Sequence, residues 1–223
     1  MKGFAWWKGT GRPWERGRFW RVKKDMAREI FVIAGLGNPG AEYAHTRHNA
    51  GFDTMDLLAE RLGVQIGRKM LGGLLGETLA GEKKIVLCKP QTFMNASGEC
   101  VEKLLQWYHV EPDHLLVIYD DIDLAPGAVR MRRQGGPGTH NGMRDIVARL
   151  NRQDFARLRI GTGDRPAGKD LVGWVLGRPA GDERERMEKA FAAAAECAAD
   201  WVENGIDHAM RLCAEKGKEE KQE

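Results

Sequence analysis

The sequence predicts an α/β fold: a single compact domain in which a central twisted sheet, mixed but mostly parallel, is flanked by helices. Three observations predict it. From residue 29 onward, short apolar runs suited to buried strands alternate with stretches whose apolar residues recur at helical spacing. Two strand-like runs, LLGETLA and KKIVLCK, flank Gly81 and Glu82 and read as a hairpin, so parallel and antiparallel pairs share one sheet. The 223 residues, 42% apolar and 30% charged, suffice for one sizeable core of ordinary globular composition.

Taken in order, EIFVIAG is a buried strand. NAGFDTMDLLAERLG is a helix in which Phe52, Met55, Leu58, Ala59 and Leu62 share a face, with Asn49 as candidate cap and Gly63 as stop. The hairpin follows. NASGECVEKLLQWYHV is helical until Pro112 breaks it, and HLLVIYDDIDL is a buried strand running into acids. AVRMRR is a strand after Pro126 and Gly127, HNGMRDIVARL a helix, FARLRIGTG a strand and KDLVGWVLG a short helix. A long helix with a polar face, DERERMEKAFAAAAECAADWVENG, and the segment IDHAMRLCAEKGK complete a domain spanning 29–215. The charged tail 216–223 reads as a frayed end.

The head, 1–28, differs from the rest. It carries nine Lys/Arg against Glu15 and Asp25, a net +7, whereas the remaining 26 basic and 30 acidic residues give −4. It also holds Trp6, Trp7, Trp14 and Trp20, four of the seven tryptophans, with no helical or strand period. Arg and Trp together suit a nucleic-acid-binding arm. A disordered tail, or translated sequence upstream of Met26, is the preferred expectation. No run reaches the length of a membrane span. Cys88, Cys100, Cys197 and Cys213 are scattered without a C-x-x-C pair, which argues against a disulfide framework or zinc site and fits a reducing cytoplasm.

Gly35, Gly37 and Gly40 in IFVIAGLGNPG fit G-x-G-x-x-G, but their context does not suit a dinucleotide. The helix that should receive the pyrophosphate begins only near Asn49, and no acid closes a following strand. More telling is what the strands deliver to one edge of the sheet: Asn38, Tyr43, Arg47, His48 and Asn49 after the first, and Asn95 after the hairpin. Asp120, Asp121 and Asp123 end the next strand; Arg132, Arg133, His140 and Asn141 follow it. This is an enzyme-like constellation. Ser97, the only serine, lies in a helix's first turn and suits capping rather than nucleophilic attack; no cysteine neighbours a histidine, and no metal-ligand spacing appears. What remains is a His–Asp pair able to activate water. Singly, Asn49, Asn95 and Asn141 could each cap a helix, and the arginines could edge a strand.

The strings AGLGNPGAEYAHTRHNAGF, KPQTFMNASGECV, YDDIDLAPGAVRMR, GGPGTHNGMRDIVARL and FARLRIGTG resemble, in order and spacing, the signature blocks of bacterial peptidyl-tRNA hydrolases. The resemblance covers about 29–215 and departs at Tyr119, Asp121, Pro137 and Thr139. It implies a monomeric cytoplasmic enzyme, without cofactor or metal, that cleaves the ester joining a peptide to the 3′-terminal ribose of a tRNA. By the same resemblance His48 is the general base and Asp120 its hydrogen-bond acceptor. Asn38, Asn95 and Asn141 would bind substrate through carboxamides, Tyr43 and Phe93 would line the acceptor-end and peptide cleft, and Arg132, assisted by Arg133, would meet tRNA phosphates, with Arg159 at a further basic position. His140 is expected to lend support rather than chemistry. Two rivals remain at this level: an RNA-binding module that has lost hydrolysis, and, on the three glycines alone, a nucleotide-dependent oxidoreductase.

Overall fold

A computed structural model describes residues 28–168 and 170–219; the head up to residue 27 and residues 220–223 lie outside the described residues. Seven strands form one sheet: β1 (Ile30–Gly35), β2 (Arg68–Met70), β3 (Gly73–Ala80), β4 (Lys83–Pro90), β5 (Leu115–Asp121), β6 (Val129–Arg132) and β7 (Ala156–Gly161). Their spatial order is β2-β3-β4-β1-β5-β7-β6. The central strands β4, β1, β5 and β7 run parallel, and the outer pairings β2–β3, β3–β4 and β6–β7 are antiparallel. The hairpin is as expected, with a two-residue turn whose first residue, Gly81, has φ 60° as a II′-type connection requires. The exposed three-residue edge strand β2 carries too little pattern for the sequence to announce it.

Among the described residues six α-helices cover the sheet: α1 (Ala50–Arg61), α2 (Ser97–Tyr108), α3 (Asn141–Leu150), α4 (Leu171–Val175), α5 (Asp182–Asn204) and α6 (Ile206–Glu219). Side chains alternate across β1, so Phe31 and Ile33 pack with residues of α1, α5 and α6, while Val32 and Ala34 pack with α2 and α3. Both faces being covered, the parallel strands read as unbroken apolar runs rather than alternating ones. α6 continues to Glu219, and Lys216 pairs with Glu196 at 3.2 Å.

Two helix ends differ from expectation. α2 stops where His109 turns left-handed at φ 53°, ahead of Pro112, which opens the next 3-10 turn. Ser97 does not cap α2; its hydroxyl donates back to the Met94 carbonyl at 2.9 Å. The first-turn N–H of Gly98 is instead met by the Asp145 carboxylate of α3 at 2.7 Å, an anion placed at the positive end of the helix.

The glycines after β1 serve packing and backbone. A Cβ on Gly35 would lie 2.2 Å from Met55 and 2.4 Å from the Gly51 carbonyl, and one on Gly51 would lie 2.4 Å from the Leu36 amide. Gly40 has φ 117°, where side chains are strained. Only this close approach lets α1 sit at the end of β1 with the 3-10 turn Arg47–Asn49 before it. Gly51→Ala is expected to cost ~1–3 kcal/mol, the range for overpacking a rigid core, and so to lower the melting temperature by about 2–12 °C for a domain of this size, measured by calorimetry or circular dichroism.

Candidate active site

The loops leaving β1, β4 and β5 and the entrance of α3 converge on a cleft of about 630 Å³. His48 stands on the Arg47–Asn49 turn, and Asp120 is the penultimate residue of β5, 2% exposed. Their contact is close to bidentate: His48 Nδ1 lies 2.8 Å and 3.0 Å from the two Asp120 oxygens. Asp120 also receives His140 Nε2 at 3.0 Å. The His140 tautomer follows from its other nitrogen. Nδ1 accepts the Met143 N–H at 3.2 Å as the N-cap of α3, so Nε2 carries the proton and donates to Asp120.

One carboxylate thus orders two imidazoles, and their environments separate them. Burial would depress the His48 pKa, but the charge and hydrogen bond of Asp120 outweigh it and the value rises above 6.5. Burial wins at the more enclosed His140, which stays below 6.5 and neutral despite the same anion. Burial likewise works against the Asp120 charge, yet the two imidazoles more than compensate and hold its carboxyl far below the usual range. With Nδ1–H committed to Asp120, neutral His48 keeps the Nε2 lone pair for chemistry in the cleft. The ligand atoms of His48, Asp120 and His140 all lie within 4.8 Å of one another, a spacing that could hold a cation. No sequence motif announces this cluster because its members come from three separate parts of the chain, a 3-10 turn, the end of β5 and the cap of α3, and as they stand they are joined by hydrogen bonds.

Asn38 is held by a residue the sequence cast as a helix cap. Asn49 makes no capping bond; its Oδ1 accepts the Asn38 N–H at 2.8 Å and its Nδ2 donates to the Asn38 carbonyl at 3.0 Å. The Asn38 Oδ1 accepts the Met94 N–H at 2.7 Å. Its Nδ2 therefore remains as a donor at the cleft, whereas Asn95 and Asn141 are exposed there with both donor and acceptor. Neither of those two is a side-chain cap. Phe93 has φ 58° and ψ 162°, a strained conformation that costs ~1–3 kcal/mol. The ring is 55% exposed at the cleft, edge-on to Tyr43 at 6.4 Å.

The basic strip divides. Arg132 lines the cleft, and β6–β7 register sets Arg130 opposite Arg159 and Arg132 opposite Arg157, so four guanidinium side chains share one face. Arg133 does not join them. One residue past the end of β6, it turns toward α6, where it pairs with Asp207 at 2.5 Å. Arg159 is paired with Asp121. Arg157, which carries no distinguishing signal in the sequence, is buried and holds the glycine-rich loop through the Gly136 carbonyl at 2.8 Å.

A buried carboxylate orienting an imidazole at the C-terminal edge of an α/β sheet, beside carboxamides and arginines, defines a hydrolase-type site. The peptidyl-tRNA hydrolase family model matches residues 32–222. A peptidyl-tRNA hydrolase of Caldanaerobacter subterraneus is 46% identical over 181 residues, covering 81% of this chain and 97% of the relative. One from Halalkalibacterium halodurans is 49% identical over 168 residues, covering 75% and 90%. The crystal structure of the peptidyl-tRNA hydrolase of Acinetobacter baumannii superposes with a TM-score of 0.78 at 36% identity, covering 82% of this chain and 94% of that one. The chain belongs to the peptidyl-tRNA hydrolase family and is a hydrolase, which sets aside the oxidoreductase and the inactive RNA-binding module.

Asp120→Asn removes the charge that raises the His48 pKa while burial remains. The native His48 midpoint is expected above 6.5 and the variant's below it, read by NMR titration of the imidazole.

Proposed function

We propose that this enzyme hydrolyses the ester between a peptide and the 3′-terminal ribose of peptidyl-tRNA, with His48 as general base on water, and so recycles tRNA from stalled or aborted translation. The observation that carries the reading is the His48 Nδ1 contact to Asp120 at 2.8 Å, which leaves Nε2 available in a cleft lined by Asn38, Asn95 and Asn141. In this scheme Nε2 takes a proton from water as the water oxygen attacks the acyl carbonyl. Asp120 stabilises the imidazolium that forms, and a carboxamide N–H meets the developing oxyanion. Collapse expels the ribose oxygen, which recovers the proton from His48. Direct attack by water needs neither a covalent intermediate nor a metal, and neither serine nor cysteine is among the described residues lining the cleft.

Carboxamides suit a peptide of any sequence, since they pair with backbone amides without reading side chains. The exposed β6 arginines, Arg132 and Arg130, suit phosphates of the acceptor end and its 3′ CCA, contacts that position without reading sequence. We assign substrate contact to Asn38, Tyr43, Phe93, Asn95, Asn141 and Arg132, and withdraw Arg133. We infer a monomer working in the cytoplasm; the four cysteines, none of them in a disulfide, suit a reducing compartment. No helix among the described residues is long and apolar enough to cross a membrane.

His48→Ala is expected to lower turnover of N-blocked aminoacyl-tRNA by ~10²–10⁴, the usual worth of a general base, with tRNA binding largely kept. Equal turnover in both proteins would remove the base assignment. Arg132→Ala should weaken tRNA binding similarly for all tRNAs and reduce the slope of log affinity against log salt by about 1, measured by filter binding across salt concentrations.

A further inference from the structure

Beside His48, and outside the cleft lining, lies an arginine that the reaction as described does not use. Arg47 is only 5% exposed, an unusual burial for a guanidinium. Its Nε and Nη2 donate to the two Glu183 oxygens at 2.7 Å and 2.6 Å, a bidentate fork. Its Cζ lies over the Trp174 ring, 3.6 Å from the centroid, and Nη1 donates to the Trp174 carbonyl at 3.3 Å. The Arg47 N–H donates to the Gly177 carbonyl at 3.0 Å. Trp174 is itself fixed, its indole N–H donating to the Gly163 carbonyl at 3.1 Å. Just beyond, Arg178 Nε donates to the Ala44 carbonyl at 2.9 Å.

These contacts join the turn that carries His48 to α4 and the start of α5. Residues of the same α4 segment, Leu171, Val172, Val175 and Leu176, form one wall of the cleft. Besides the Asn49–Asn38 bonds, two ties of this turn bear on His48 directly. One is the Asp120 hydrogen bond through its side chain, and the other is its neighbour's guanidinium.

We propose that Arg47 is the positioning residue for His48: seated between Trp174 and Glu183, it fixes the 3-10 turn so that Nδ1 stays on Asp120, and it locks that turn to the cleft wall. This rests on His48 being the base. Arg47 touches no reacting atom. Its effect is on the fraction of time the imidazole is aligned, and misplacing a catalytic group by about 1 Å can cost ~10²-fold in rate. Lysine cannot replace it, because a point charge lacks both the fork and the flat stacking surface.

The test uses the full chain and two variants, Arg47→Lys, which keeps the buried charge, and the isosteric Glu183→Gln, which keeps the packing if the lysine variant does not fold. Melting temperature, kcat, KM and the His48 NMR titration are measured for each. The expected result is a kcat loss of ~10–100-fold for Arg47→Lys and ~3–10-fold for Glu183→Gln, with KM within about twofold. The His48 midpoint is expected to fall in both folded variants as the Asp120 contact loosens. An unchanged kcat overturns the proposal, and so does a kcat loss with an unmoved His48 titration. The titration does not depend on what His48 does, so failure here is distinct from failure of the base assignment, which His48→Ala reads alone.

Discussion

A single buried carboxylate, Asp120, sets the arrangement of everything around it. A charge that is 2% exposed is costly unless it is paired and hydrogen-bonded, and here two imidazoles meet that need. The cost of burying the anion thereby becomes a constraint on both rings. His140 is bound at both nitrogens and becomes part of the frame, closed on its other side by the edge of Tyr119 at 4.9 Å. His48 is bound at one nitrogen and keeps the other. The asymmetry between two histidines sharing one acid comes from the extra backbone N–H that His140 accepts as the cap of α3.

The fold brings these groups together because the carboxyl ends of β1, β4 and β5 lie at one edge of the sheet. β1 and β5 are adjacent and parallel, so the loop after β1 must pass the end of β5. The glycines at 35 and 51 let α1 approach closely enough that the preceding turn sets His48 over Asp120. Packing and chemistry are therefore one constraint at this point. The hairpin and the β6–β7 edge lie to either side, bringing Phe93 and Asn95 from one direction and the arginines from the other.

Much of this was legible in the sequence, for physical reasons that also mark the limits. Strands buried on both faces are continuous apolar runs, and the helices show their spacing, so β1, β5, α1 and α5 could be read directly. The hairpin was announced by Gly81 between two strand-like runs. The convergence of His48, Asp120 and the carboxamides followed from strand ends. Side-chain partnerships across loops were not legible. Asn49 has the type and place of a helix cap, yet its amide holds Asn38; Ser97 looked like a cap for α2, but Asp145 of another helix took that place. Arg133 looked equivalent to Arg132 in a basic run, and only its pairing with Asp207, one residue past the end of β6, separates them. The burial and partners of Arg157 and Arg47 were not legible, because a buried arginine cannot be told from an exposed one by sequence alone.

The account's central claim concerns where two protons sit, and ¹⁵N NMR of the imidazole nitrogens at a pH above the His48 midpoint reads it directly. The account predicts opposite tautomers, His48 protonated on Nδ1 and His140 on Nε2, each coupled to Asp120. Finding His48 protonated on Nε2 would leave it no lone pair facing the cleft and would contradict the account.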